Sequence, residues 1–250
     1  MRNKNFGITI TARTKSKRLP KKVLLKLSNE SVIEYLIKRL LKKFHKKQIC
    51  LITSKYKSDD ILVKISNKLK IRYYRGYPKD VLKRIYQASK RYSWKNTISI
   101  TADNPFIDLE YCLKALKFHV EQKNDLTQIN HLPIGMGVNI VRLNGLKKAI
   151  NDKKDNDTEI WGNYFKLNSK LKTQIFKNIK KKHIIRNLRL TLDEPRDYKL
   201  IKIVTKNINI NEINSENIFK FFRKFPELKK INSNVKQRRK NKVNIKNEKN

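Results

Sequence analysis

Short runs of alternating or continuous apolar residues are separated along the chain by stretches with apolar spacings of three and four, and that rhythm sets the expected architecture. Phe6-Gly7-Ile8-Thr9-Ile10-Thr11-Ala12 reads as a buried strand, and the polar loop Arg13 to Lys22 leads towards an apolar-periodic helix over Val32 to Phe44. Ile49-Cys50-Leu51-Ile52-Thr53, Ile71-Arg72-Tyr73-Tyr74 and Thr97-Ile98-Ser99-Ile100-Thr101 read as further strands, with helices expected over Asp59–Leu69, Asp80–Tyr92 and Asp108–Gln122. Strand–helix alternation of this kind predicts an α/β fold whose mostly parallel sheet is covered by helices on both faces.

Past Asp125 the rhythm changes. Leu126-Thr127-Gln128-Ile129 and Val138 to Leu143 flank a stretch punctuated by Pro133, Gly135 and Gly137, the pattern of antiparallel strands with an intervening loop. Asn144–Asn151 and Thr158–Leu167 look helical, Leu188–Leu192 reads as a late strand, and Pro195–Lys206 as a helix opened by its proline. A short amphipathic helix follows over Ile218–Phe225. From about Ser233 apolar residues nearly vanish, so one folded domain over residues 1–232 and a basic, frayed tail over 233–250 are expected.

Composition then narrows the function classes. With 250 residues, 38% of them hydrophobic, the chain can build a core and is not a wholly disordered protein. No apolar stretch approaches the roughly 18 residues of a membrane helix. The opening Met1-Arg2-Asn3-Lys4-Asn5 runs straight into the first strand instead of a signal-peptide core, so a cytoplasmic location is expected. Cys50 and Cys112 lie in apolar segments without metal-like spacing and read as small core residues. The net charge of +40 invites a nucleic-acid partner. Lys outnumbers Arg about three to one, however, and the charge is spread over Lys42-Lys43, Lys46-Lys47, Lys180-Lys181-Lys182 and the tail, with no nucleic-acid-binding motif. A solvated, Lys-rich surface explains the charge better, and neither nucleic acid nor membrane is the expected partner.

Candidate chemistry lies just past three strand ends, where open α/β sheets place their ligand crevices. The loop Arg13-Thr14-Lys15-Ser16-Lys17-Arg18-Leu19-Pro20-Lys21-Lys22 offers Arg13, Arg18 and Lys22 to a polyphosphate; a merely solvated basic loop remains the alternative. Asp103 ends the strand before Asn104-Pro105, as a Mg²⁺ ligand does when phosphates and water fill the other positions. Asp108 is the better helix cap there, which leaves Asp103 without a structural task. Asp193 repeats the device before Pro195, with an N-cap role as its alternative. Glu159 reads from the residues alone as a surface helix charge, and Trp161 as core.

The ordered set Ala12-Arg13…Arg18-Leu19-Pro20-x-Lys22-Val23-Leu24, Arg75-Gly76…Asp80-Val81-Leu82, Thr101-x-Asp103-x-Pro105, Gly135-x-Gly137-Val138-Asn139 and Leu190-Thr191-Leu192-Asp193-x-Pro195-x-Asp197 resembles the cytidylyltransferases that make CMP-activated sugars. Among them it is most similar to the spore-coat polysaccharide biosynthesis branch, related to acylneuraminate and 3-deoxy-manno-octulosonate cytidylyltransferases. The likeness runs from about residue 6 to residue 237. That group carries glycine where this chain has Lys15 and Lys21, and often a Glu-His pair where this chain has Glu159-Ile160.

The resemblance implies a three-layer nucleotide-diphospho-sugar transferase (GT-A-like) fold and Mg²⁺-dependent attack of a sugar-acid hydroxyl on the α-phosphorus of CTP, with pyrophosphate leaving. Carried over by position, Ala12, Arg13, Arg18, Lys22, Thr101 and Asp103 line the nucleotide, with Arg13, Lys22 and Asp103 as the catalytic groups. Asp103 and Asp193 hold the metal, while Gly137, Asn139 and Glu159 face the acceptor. A homodimer with 133–165 as its arm is implied too. Two rivals stay open from sequence: a nucleotidyltransferase of other nucleotide or acceptor specificity, and an inactive relative acting as a basic polyanion-binding protein.

Overall fold

The computed structural model describes residues 5–237 and 243–246. Its centre is a seven-stranded sheet built from β1 (Phe6–Thr11), β4 (Ile49–Ser54), β5 (Arg72–Gly76), β6 (Asn96–Thr101), β7 (Leu126–Gln128), β8 (Asn139–Arg142) and β9 (Thr173–Ile175), in the order β5-β4-β1-β6-β8-β7-β9. The strands β5, β4, β1 and β6 are mutually parallel, β8 runs antiparallel to both β6 and β7, and β9 pairs parallel with β7. A two-residue hairpin, β2 (Lys26–Leu27) with β3 (Glu30–Ser31), stands apart from this sheet.

Because successive side chains of a strand point to opposite faces, each parallel strand feeds two cores. Ile49 and Leu51 of β4 join the layer formed with α1 (Val32–Leu41), α2 (Asp60–Lys68), α4 (Leu109–Glu121), α7 (Pro195–Asn207) and α8 (Ser215–Lys224). Cys50 and Ile52 join the layer of α3 (Val81–Arg91), α5 (Leu143–Asp152) and α6 (Asn163–Lys166). The result is the three-layer α/β architecture with a mostly parallel sheet that the alternation predicts. Gly7 is required where β1 meets the second layer: a Cβ there would stand 1.9 Å from the Trp94 ring.

Local chemistry starts the helices where the sequence places them. Ser31 and Glu34 form a reciprocal capping box on α1, Asp80 accepts from Lys83 N at 3.0 Å on α3, and Asp108 accepts from Glu110 N and Tyr111 N at 3.0 and 2.9 Å on α4. Two expected elements differ. Leu188–Leu192 is buried but stays outside the sheet, because Leu190 N donates to Ile134 O and Leu192 N to Asp103 O. The helix expected over Thr158–Leu167 shrinks to Asn163–Lys166, since Thr158 is drawn onto the start of α3 by bonds to Lys79, Asp80 and Leu82.

The tail is described only in part, and residues 238–242 and 247–250 of the expected frayed segment lie outside the described residues. Where it is described, it differs from fraying. Val243 and Ile245 are buried against the second layer, Ile245 bridges Lys153, and Asn244 bonds Asp155. Two apolar side chains suffice to seat a short polar segment when its backbone also finds partners, here Lys154 N to Asn244 O and Lys246 N to Asp152 O.

Candidate functional site

Parallel pairing puts the carboxyl ends of β1, β4, β5 and β6 along one edge of the sheet, and the charged loops follow those ends. Ala12, buried, continues β1 by donating to Ile52 O at 3.1 Å. Thr14 is then pinned: one oxygen of Asp59 accepts from its backbone N–H and its hydroxyl, each at 2.8 Å. The loop closes on itself through Lys21 N to Thr14 O and Lys22 N to Leu19 O. Lys21 takes the left-handed conformation at φ 52°, the geometry for which glycine is the unstrained residue. Lys15 is not among the positive-φ residues, so the two departures from glycine are not equivalent.

The loop delivers its cations onto the two strand-end carboxylates. Lys22 Nζ donates to Asp103 Oδ2 at 2.5 Å and to Asp193 Oδ1 at 2.8 Å. Arg18 lies 2.9 Å from that same Asp193 oxygen and 3.4 Å from Glu194. Asp103 and Asp193 are ninety positions apart, and the backbone aligns them: Leu192 N donates to Asp103 O at 2.8 Å, so the residue after Leu192 is brought beside the Asp103 side chain. Burial disfavours the Lys22 charge, but the two carboxylates outweigh it and raise its pKa above the ordinary lysine value. Burial works against Asp193 in the same way, and Lys22, Arg18 and Arg189 together hold its carboxyl below the ordinary range.

Asp193 does not cap α7. Asp197 does that work, accepting from Asp193 N and Glu194 N at 2.9 and 3.0 Å, while the Asp193 carboxylate faces Lys22, Arg18 and Arg189. Arg189 bonds Asp193 at 2.6 Å and Asp197 at 3.0 Å, and Asn232 closes the network on Asp197 at 2.8 Å.

Arg13 reaches Glu159 at 2.6 Å, both exposed, which brings the residues after β1 and those before α6 to one place. Asn139 opens β8 opposite Ser99, and its Oδ1 accepts from Gln128 Nε2 at 2.9 Å. Gly137 lies where a Cβ would meet Ile129 O at 1.9 Å, so its small size already has a backbone reason. Thr101 is exposed at the end of β6 and accepts from Asn104 at 2.9 Å. Trp161 is buried against Phe165, and Cys50 and Cys112 are free and buried, as read from the sequence.

Sequence reasoning missed Asp59, Arg189, Asp197 and the Asp80–Lys153 ion pair, 2.9 Å, which with Thr158 fastens the 153–159 segment to α3. A signal existed for Asp197, which stands in one of the ordered motifs; Asp59 stands at the start of the helix expected over Asp59–Leu69, and its contact with Thr14, 45 positions away, is fixed only by the pairing of β1 with β4. An open groove of about 750 Å³ at the β9 edge is lined by Phe118, Gln128, Lys166 and residues 173–178, and none of the charged groups above reaches it. Among the described residues, no helix is long and apolar enough to cross a membrane, and no three His, Cys, Asp or Glu side chains cluster to hold a metal by themselves.

The sequence model of a family described as "Cytidylyltransferase" matches residues 8–160. The chain is similar to the uncharacterized protein MJ1063 of Methanocaldococcus jannaschii, with 34% identity over 237 residues, 94% of this chain and 97% of that protein. It is 30% identical over 202 residues to the spore coat polysaccharide biosynthesis protein SpsF of Bacillus subtilis, covering 77% of this chain and 83% of that one. Its fold matches the solved structure of a cytidylyltransferase from Leptospira borgpetersenii with a TM-score of 0.83 at 21% identity, over 95% of this chain and all of that one.

Proposed function

Because the chain belongs to the cytidylyltransferase family, we propose that it transfers CMP from CTP to a hydroxyl of a sugar acid of the nonulosonic or octulosonic type, with Mg²⁺ and with release of pyrophosphate, for surface polysaccharide or glycan biosynthesis. The observation that carries this reading is the meeting of Lys22 and Arg18 with Asp103 and Asp193 at the carboxyl edge of the sheet. Nucleotidyl transfer asks for positioning and charge stabilisation rather than a covalent nucleophile from the protein. The acceptor oxygen forms a bond to the α-phosphorus as the bond to pyrophosphate breaks.

In this reading Arg13, Arg18 and Lys22 bind the triphosphate and stabilise the charge that develops on its oxygens. Asp103 and Asp193 would hold Mg²⁺. The donor chemistry fits, since two hard carboxylates within hydrogen-bond distance of one cation are the share of ligands that proteins commonly give this ion. When bound, the metal supplies neutralisation of phosphate charge. Gly137, Asn139 and Glu159 border the acceptor, and a homodimer built on 133–165 and a cytoplasmic location belong to the same reading. The surface-polysaccharide context is supported by what the name of the Bacillus subtilis relative says of that protein.

The test is pyrophosphate release by the purified protein with CTP, Mg²⁺ and a panel of sugar acids. Release with CTP and not with ATP, GTP or UTP is expected, and Asp103→Asn should lower it by a factor on the order of 100 to 1,000. A folded protein that none of the four nucleotides stabilises in a thermal shift assay would end this reading.

A further inference from the structure

We propose that Lys22 makes divalent-cation binding conditional on the nucleotide: its ammonium and the metal compete for Asp103 Oδ2 and Asp193 Oδ1, and the triphosphate draws the ammonium away. The inference rests on the nucleotidyl-transfer reading and adds a regulation to that same site. Lys22 Nζ stands 2.5 Å from the first oxygen and 2.8 Å from the second, so an ion bound to both oxygens at about 2.1 Å would claim the same place. One pair of oxygens serves an ammonium or a divalent ion, not both together.

The surrounding charge sharpens the competition. Asp193 is shared among Lys22, Arg18 at 2.9 Å and Arg189 at 2.6 Å, so a divalent ion arriving alone has to displace the Lys22 ammonium and sit beside two guanidinium groups. A triphosphate reverses that balance with its own negative charge. Lys22 is suited to the exchange: its backbone is fixed by the bond from its N–H to Leu19 O, while its ammonium sits on a flexible four-carbon stem whose three donors serve carboxylate or phosphate equally. Arg189 holds the other Asp193 oxygen at 2.6 Å, so that carboxylate keeps a partner when Lys22 leaves. Arg13, by contrast, is engaged with Glu159, away from the pair. Thermodynamic reciprocity then requires the metal to tighten the nucleotide by the same factor by which the nucleotide tightens the metal.

The experiment titrates the full-length protein with Mn²⁺ alone, reading free Mn²⁺ by electron paramagnetic resonance, for wild type, Lys22→Gln, Lys22→Arg and Asp103→Asn, each checked for its melting transition. Lys22→Gln should bind Mn²⁺ without nucleotide about tenfold more tightly than wild type, Lys22→Arg no more tightly than wild type, and Asp103→Asn weakly in every condition. Equal Mn²⁺ affinity of wild type and a folded Lys22→Gln overturns the proposal while leaving the transferase reading intact. Should Lys22→Gln not fold, Lys22→Met and the wild-type comparison with and without CTP decide: wild-type Mn²⁺ affinity unchanged by saturating CTP overturns it equally. Failure of CTP itself to bind would instead sink the transferase reading.

Discussion

Asp59 and Thr14 are joined twice: one carboxylate oxygen of Asp59 accepts from the Thr14 backbone N–H and from its hydroxyl, each at 2.8 Å, across 45 positions of sequence. The other oxygen accepts from Thr53 and Ser54 at 3.1 and 2.5 Å, so this one buried side chain binds the basic loop to the end of β4. Asp59→Ala leaves several buried donors without a partner, and a loss of about 2–4 kcal/mol is expected. Urea unfolding measures that loss. A parallel CTP titration should show weakened binding, because the loop bearing Arg18 and Lys22 loses its anchor; unchanged affinity would show that Asp59 serves stability alone.

Acid should unfold this protein through the same groups. Burial opposes the charge of Asp59 and of Asp193, but bonds from Ser54, Thr14 and Thr53 to the first, and Lys22, Arg18 and Arg189 around the second, hold both below the ordinary carboxylate value. A depressed folded-state pKa contributes stability that is fully present above the unfolded value near 4 and is lost as pH falls through the folded values. Melting temperatures taken from pH 7 downwards should therefore hold until about pH 4 and drop below it. In Asp59→Asn the drop should be shallower, since that position no longer takes up a proton.

Asp197 is fully buried and sustains Asp193 from behind, through Arg189 and through the backbone N–H groups of Asp193 and Glu194. Removing one member of a buried ion pair leaves the other uncompensated, so Asp197→Ala should cost about 3–5 kcal/mol in chemical denaturation. Asp197→Asn, which keeps the shape, should cost less, and in both variants pyrophosphate release should fall further than the population of folded protein does.

Lys21→Gly should stabilise the protein by roughly 0.5–1 kcal/mol. The left-handed backbone at Lys21 costs a non-glycine residue about 1–2 kcal/mol, partly offset by the greater unfolded-state freedom of glycine. Lys15→Gly carries no such relief and should be neutral or mildly destabilising, and thermal denaturation of the two variants side by side gives the comparison.

The seated tail makes a prediction of its own. Val243→Asp or Ile245→Asp places a charge in the second apolar layer and should release the bonds from Asn244 and Lys246 to residues 152–155. Hydrogen exchange should rise across residues 152–165 and stay unchanged in β1, β4 and β6. A variant with wild-type exchange there would show that the tail contributes nothing to holding the segment that ends at Glu159.

Sequence alone was enough for the alternation of strands and helices, the cap at Asp108, the core identity of Trp161 and both cysteines, and the naming of the loop cations and strand-end carboxylates that the fold brings together. Each of these follows from local periodicity, from a side chain meeting a backbone group two or three positions away, or from the end of a strand, all of which a short window of sequence contains. The edge strand β9 and the helix lost after Thr158 were not legible, because neighbouring elements rather than propensity decide them. Tertiary structure alone decided that Lys22 stands between Asp103 and Asp193, that Asp59 holds Thr14, and that Val243 and Ile245 find a core. Those contacts depend on strand register and on chain segments 45 to 171 positions apart meeting at one sheet edge, and no local pattern encodes which of many equivalent charges will share a single oxygen.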